Sequence, residues 1–308
     1  MNKSSKQKKR VIAHVLILGG TTFDHVVTLD EFPKPVPQTI HKATFFETAG
    51  STGTGKSVSL KRLGVSNTLY SVLGNDHYGK KIMDYLKSEE VDFIINIDNQ
   101  GTERHINIMD SKGKRISMFI TLSSEFPLVN KKILRENIKK CDIVVLNIIS
   151  YCKEFIPLLR GHKKPVWTDL HDFNEGSLYH KPFIEVSDYI FLSSDNLKNY
   201  KKIMQEFIQM GKELVVCTHG EEGATAFTKD GEWIDEPALT GFQIIDTNGA
   251  GDNFFSGFLY AYLKEKSIKV CMRYGAICGA LCISSQKIVS EKLTANLIED
   301  MYTRYYGS

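Results

Sequence analysis

Several things are scarce in this 308-residue chain. Its six cysteines, Cys141, Cys152, Cys217, Cys271, Cys278 and Cys282, form no CxxC pair. Cys278 and Cys282 stand four apart and would share a helical face, but no further metal ligands surround them. This spacing speaks against a zinc ribbon or a CxxC redox centre and for buried free thiols in a reducing cytoplasm. No apolar run approaches the roughly 20 residues that span a bilayer. The apolar stretch 11–18 is interrupted by His14 and leads into a turn, so no secretory leader is expected. Charge of one sign is scarce too. The formal net charge is +3, and part of it sits in residues 1–10 with Lys3, Lys6, Lys8, Lys9 and Arg10. Lacking aromatic or amphipathic support, that stretch reads as a disordered basic tail, with neither nucleic acid nor membrane as partner. There is no internal repeat.

What remains is ordinary globular material: 42% apolar and 24% charged residues. It suits one large α/β domain over 11–308. Strand-like runs at 11–18, 67–73, 143–146, 166–169, 189–192 and 214–218 are separated by helical patterns. The helical patterns fall at 57–63, 77–88, 130–139, 152–160 and 195–210. Such alternation predicts a doubly wound α/β/α sandwich around a mostly parallel sheet. Two segments break the pattern. Residues 26–46 look extended and carry Pro33, Pro35 and Pro37, which exclude a helix. Residues 103–121 read as a hairpin about Asp110-Ser111-Lys112-Gly113. Together they predict a small separate sheet.

The most informative segment is Asp246-Thr247-Asn248-Gly249-Ala250-Gly251-Asp252. It follows a strand-like run (Phe242, Ile244, Ile245) and opens an apolar, helix-like stretch through Phe254, Phe255, Phe258 and Leu259. Small residues at a helix start leave backbone N–H groups bare for an anion. A carboxylate beside them supplies a base, so the pair has the minimum equipment for phosphoryl transfer to a small acceptor. A second segment, Gly50-Ser51-Thr52-Gly53-Thr54-Gly55-Lys56-Ser57, matches the Walker A pattern in full. The stretch before it is broken by prolines rather than forming a central strand, which favours a small-residue loop entering a helix over an ATP loop.

With these residues in place, the chain resembles the PfkB-type (ribokinase-like) carbohydrate and nucleoside kinases over nearly its whole length. Asp246 to Asp252 is similar to the family's DTxGAGD signature. Gly19-Gly20 with Asp24 resembles its first strand, whose end carries a substrate-binding Asp. Gly50-Ser51 resembles its Gly-Gly loop, and Gly74-Asn75-Asp76-His77-Tyr78-Gly79 its GxDxxG segment. Thr218-His219-Gly220-Glu221-Glu222-Gly223 resembles its TxGxxG nucleotide loop. The resemblance implies a ribokinase-like fold with a small β lid that closes over the acceptor and can pair two copies as a homodimer. It implies transfer of the ATP γ-phosphoryl group to a hydroxyl of a sugar or sugar-like substrate, with Mg2+ on the phosphates. Asp252 would be the general base, and Gly249, Ala250 and Gly251 the anion hole. Asp24, Gly50, Ser51 and Gly55 would bind the acceptor. Thr218, Gly220, Gly223, Gly251, Ala276 and Gly279 would line the nucleotide. Asp246 and Asn248 match positions near a monovalent cation, K+, in many members.

Departures from the family pattern fall on binding positions. Gly55 stands where an Asn commonly binds sugar hydroxyls, and Thr52 where ribokinases have Lys. Ser51 replaces the second Gly of the pair. Ser193-Ser194-Asp195-Asn196 replaces the NxxE motif. Ala276 replaces an Asn or His, and Lys287 follows a segment without the usual glycine. Asn248 and the aromatic residues Phe45, Phe46 and Phe119 lean toward a nucleoside acceptor as the alternative. The altered loops leave a non-catalytic ligand-binding relative as a second alternative.

Overall fold

The computed structural model describes residues 13–111 and 113–307. The basic tail at 1–10 lies outside the described residues. In chain order the strands are β1 (His14–Leu18), β2 (Thr22–Thr28), β3 (Thr44–Gly50), β4 (Ser66–Gly74), β5 (Asp92–Asp98), β6 (Arg104–Met109), β7 (Arg115–Thr121), β8 (Ile143–Asn147), β9 (Val166–Asp169), β10 (Tyr189–Ser193), β11 (Leu214–Thr218), β12 (Ala224–Thr228) and β13 (Trp233–Glu236). The helices are α1 (Thr52–Arg62), α2 (His77–Ser88), α3 (Lys131–Lys140), α4 (Ile156–Leu159), α5 (Lys181–Val186), α6 (Tyr200–Gln209), α7 (Ala250–Leu263), α8 (Ile268–Ile283) and α9 (Ala295–Tyr306).

The large sheet has nine strands in the order β13-β12-β11-β10-β9-β8-β1-β4-β5. From β11 to β5 every pairing is parallel, and β12 and β13 add an antiparallel edge. A parallel sheet is covered on both faces, so its strands are apolar throughout rather than alternating. In β1, Val15 and Ile17 enter one core, whereas Leu16 and Leu18 enter the other, and all four are fully buried. The first core is closed by α1, α2, α7, α8 and α9, the second by α3 to α6. The sandwich expected from the alternation is therefore present.

The two irregular segments also form the small sheet expected of them, four strands in the order β3-β2-β6-β7. All six cysteines are buried and unpaired, as their spacing suggested. Among the described residues no helix is long and apolar enough to cross a membrane.

The structure corrects four details of the reading. The run Phe242, Ile244, Ile245 is not a strand: the Ile245 and Asp246 N–H groups both donate to the Ile283 carbonyl at the end of α8, 2.7 and 3.2 Å away. Helix α1 begins at Thr52, five residues earlier than expected, because burial of its small residues overrides their weak helix propensity. Residues 152–160 are a 3₁₀ turn over 150–155 followed by the short α4, with Pro157 in its first turn. Asp24 is not at a strand end but inside β2, in the small sheet.

Candidate active site

In an open α/β sheet, ligands bind outside the carboxyl ends of the strands, where the strand order reverses. Here the order reverses at β1, which lies between β8 and β4. The carboxyl ends around that point carry Gly19 and Gly20 after β1, Asn147 at the end of β8, Asp169 at the end of β9 and Thr218 at the end of β11. Asn147 braces the turn: its amide donates to the Leu18 carbonyl (3.0 Å), and its oxygen accepts from the Thr52 hydroxyl (3.0 Å).

The Walker-like segment does not form a phosphate loop. β3 is an antiparallel strand of the small sheet, and residues 52–57 are already helix. Gly50 is instead the backing of Asp24. A Cβ there would lie 2.2 Å from Asp24 Oδ2, so only glycine lets the two strands sit this close. Asp24 is buried. It accepts from the Thr22 hydroxyl (2.7 Å) and the Asn107 amide (3.2 Å), and His105 Nδ1 lies 3.6 Å away. Burial raises its carboxyl above the usual range, and these partners only partly offset the shift. Ser51, the next residue, has φ 74°, a left-handed conformation that favours glycine.

At the start of α7, Gly249 is the N-cap with φ 81°, and a Cβ on it would lie 2.8 Å from the Ile288 carbonyl oxygen. Gly251 faces open space, with nothing within 4 Å of where a Cβ would be. The first N–H groups of a helix have no intrahelical acceptor and carry its positive partial charge. The Ala250 N–H is given to the Thr247 carbonyl (3.2 Å), which leaves Gly251 as the bare face of the cradle. Asp246 Oδ1 accepts from the Asn248 N–H (2.7 Å), and Asn248 Oδ1 accepts from the Arg115 guanidinium of β7. Thr247 Oγ1 donates to the Gly113 carbonyl (3.2 Å), so the small sheet rests on this loop.

Asp252 lies in the first turn of α7, buried, with Oδ1 accepting from Lys56 Nζ. Lys56 has no exposed surface. Its ammonium also donates to Asp169 Oδ2 (3.2 Å) and sits 5.0 Å from the centre of the Phe255 ring. Burial alone would lower the Lys56 pKa, but attraction to Asp252 and then Asp169 outweighs it and keeps the amine charged. Burial would likewise raise Asp169. The His171 imidazole and the Lys56 ammonium more than offset that and hold it at about 2. Ligand atoms of Asp169, His171 and Asp252 come within 4.8 Å of one another, the spacing of a metal site. The Lys56 ammonium already pairs with two of the three, so this group does not fit a divalent ion.

Thr218 ends β11, and the loop after it turns through Gly220 and Gly223, both with positive φ. His219 is structural. Its ring nitrogens pair with the Ser194 and Thr225 hydroxyls, each at 3.0 Å, and burial lowers its pKa. Ala276 and Gly279 lie on α8, where a Cβ on Gly279 would approach the Ala250 carbonyl at 3.7 Å. The altered segment 193–196 sits beside the loop after β9, with the Asn196 amide donating to the Asp172 carbonyl (2.9 Å).

The structure thus pairs Gly50 with Asp24 and, five residues on, Gly55 with Asp252, whose Oδ2 would lie 3.4 Å from a Cβ at position 55. The sequence reading missed Lys56, Asp169 and Arg115. A signal existed for two of them. Lys56 shares a helical face with the buried Gly53 and Leu60, and Asp169 closes the strand Val-Trp-Thr-Asp at a carboxyl end.

Comparison with known proteins places the chain among kinases. The family model described as pfkB family carbohydrate kinase matches residues 13–156 and 185–293. The chain is 27% identical over 270 residues to an acarbose 7(IV)-phosphotransferase of Actinoplanes, covering 86% of this chain and 90% of that one. It is 25% identical over 284 residues to a nucleoside kinase of Methanothermobacter thermautotrophicus, covering 88% and 90%. Among solved structures, a microbiome-derived acarbose kinase superposes with a TM-score of 0.85 at 26% identity, covering 96% of this chain and all of that one. Arabidopsis thaliana ribokinase, solved with ribose and ATP, shares the fold with a TM-score of 0.77 at 20% identity, covering 94% and 99%. With the family model matched over most of its length, the chain belongs to the pfkB family of carbohydrate kinases, phosphotransferases that act on an alcohol group.

Proposed function

We propose that Asp252 is the general base for phosphorylation of a hydroxyl on a sugar or sugar-like acceptor. The observation that carries this reading is the place of Asp252: a buried carboxylate in the first turn of α7, directly after a cradle whose outer glycine, Gly251, faces open space. Bound ATP supplies the γ-phosphoryl group. The acceptor O–H bond breaks with its proton passing to Asp252, the O–Pγ bond forms, and the bond to the leaving oxygen breaks with its electron pair on ADP. The Gly249–Gly251 backbone and the helix dipole oppose the charge that gathers on the phosphoryl oxygens. Asp24 and the Gly50–Gly55 segment orient the acceptor, and Thr218, Gly220, Gly223, Ala276 and Gly279 line the nucleotide.

Magnesium would be held by the nucleotide phosphates, since the Lys56 ammonium already pairs with both Asp169 and Asp252. A potassium ion would sit beside Asp246, whose carboxyl burial raises above the usual range, the Asn248 N–H and the Arg115 guanidinium offsetting only part of the shift. A nucleoside acceptor is the second reading, favoured by Phe119, largely exposed on the Asp24 face of the small sheet and packed against His105.

The test is a panel of acarbose, D-ribose, 5-dehydro-2-deoxygluconate and inosine with ATP and magnesium, with and without potassium. Asp252→Asn should lower kcat on whichever acceptor is turned over by at least about 100-fold. Retention of activity within a few-fold of wild type would mean that another group takes the proton.

A further inference from the structure

Lys56 occupies a position that the transfer chemistry does not explain. We infer that Lys56 is a positioning residue: with Asp169 as its anchor, it fixes Asp252 Oδ1 and leaves Oδ2 as the single oxygen that receives the acceptor proton. This inference rests on the reading of Asp252 as base.

The geometry determines which oxygen is free. Lys56 enters from α1, donates to Asp252 Oδ1 and reaches Asp169 Oδ2 at 3.2 Å. Its remaining face lies toward the Phe255 ring. An ammonium has three donors, and two carboxylates with an aromatic face leave it nothing for a phosphate. Asp252 Oδ2 points toward Gly55, where the missing side chain leaves the approach to that oxygen open. Gly55 and Lys56 therefore act together: one residue ties down an oxygen and its neighbour clears the other.

The charges give the second half. Facing Asp252 are Lys56 from α1, Asp169 and His171 from β9 and its following loop, and Cys282 from α8, with Asp246 on its own loop. His171 Nδ1, 3.7 Å from Asp169 Oδ2, pairs with Asp169, whereas Lys56 is the ammonium that bridges the two carboxylates. Remove it, and two buried carboxylates share the space. Such a pair holds on to a proton, and its titration belongs to both groups together. The base then shares that proton with its neighbour.

Aspartate labelled with ¹³C at Cγ, observed by NMR in the full chain without any acceptor, reads this directly. Loss of a resonance in Asp252→Asn and in Asp169→Asn assigns the two carboxyls. In Lys56→Met the Asp252 resonance should titrate at least about one pH unit higher than in wild type. In Lys56→Met with Asp169→Asn it should return most of the way, because the competing charge is gone. Should Lys56→Met not fold, Asp169→Asn alone decides: Lys56 then serves Asp252 only, and the Asp252 midpoint should fall. An Asp252 midpoint that stays put in the variant that folds would overturn the inference. The two readings fail separately. An active Asp252→Asn enzyme removes the base, whereas an inactive one with an unmoved titration in Lys56→Met removes only the role of Lys56.

Discussion

Gly249 and Gly251 are two residues apart, yet alanine should injure them in opposite ways. At Gly249 the left-handed φ of 81° costs a side chain about 1–2 kcal/mol. The new Cβ would also lie 2.8 Å from the Ile288 carbonyl oxygen, a backbone atom that cannot swing aside. Overpacking of that kind costs about 1–3 kcal/mol. Gly249→Ala should therefore lose about 2–5 kcal/mol in all, or about 4–10 °C in Tm at roughly 2 °C per kcal/mol for a chain of this length. At Gly251 nothing lies within 4 Å, and the residue is inside the first turn of a helix. Alanine there should leave stability unchanged, or raise it by as much as about 1 kcal/mol through helix propensity. Its methyl group would stand in the space kept for the anion, so kcat should fall at least about ten-fold, given that one lost donor in such a hole costs about 10²–10³. Urea and thermal unfolding report the first effect, and initial rates on the acceptor found in the panel report the second. Equal destabilisation by the two substitutions, or full activity of Gly251→Ala, would refute the assignment of one glycine to structure and the other to the anion.

Two further outcomes follow from the charges and the surface. The Asp169 carboxyl is held at about 2 against an ordinary 3.8. A depressed carboxyl stabilises the fold above its unfolded value and loses that contribution as pH falls toward the folded one, so about 2 kcal/mol should disappear between pH 4 and pH 2. Urea titrations of wild type and Asp169→Asn should converge across that window, and a constant gap between them would show that the ion pair carries no such linkage. On the edge strand β7, Ile116, Met118 and Ile120 project exposed apolar side chains from one face. We propose a homodimer through this sheet. Light scattering should give twice the chain mass for wild type and the single mass for Met118→Glu, and a single mass for both would remove the proposal.

Much of the fold could be read in advance because burial on both faces writes itself into a strand. β9 and β11 were located to the residue, since Val-Trp-Thr-Asp and Leu-Val-Val-Cys-Thr are short apolar runs between helical patterns. β12, Ala-Thr-Ala-Phe-Thr, was missed, because its small and polar residues carry little hydrophobic signal although it is mostly buried between β11 and β13. Phe242 to Ile245 misled for the opposite reason: apolar residues there cover a loop instead of pairing in a sheet, and Ile244 and Ile245 remain exposed. The helix start at Gly249 to Asp252 was legible because small residues ahead of an apolar run mark where a helix begins, and α7 opens there. The Lys56–Asp169 pair was not, since its partners are 113 residues apart and only the packed sheet brings them together.

The small sheet gives the molecule a division of labour. Asp24 and the residues bonded or facing it, Thr22, Asn107 and His105, all stand on four strands that contribute nothing to the nine-stranded sheet. The proposed donor side is built on the carboxyl ends of the large sheet, the start of α7 and the loop after β11. A substitution on β2 or β6 can therefore change the groups offered to the acceptor and leave every strand pairing of the large sheet in place.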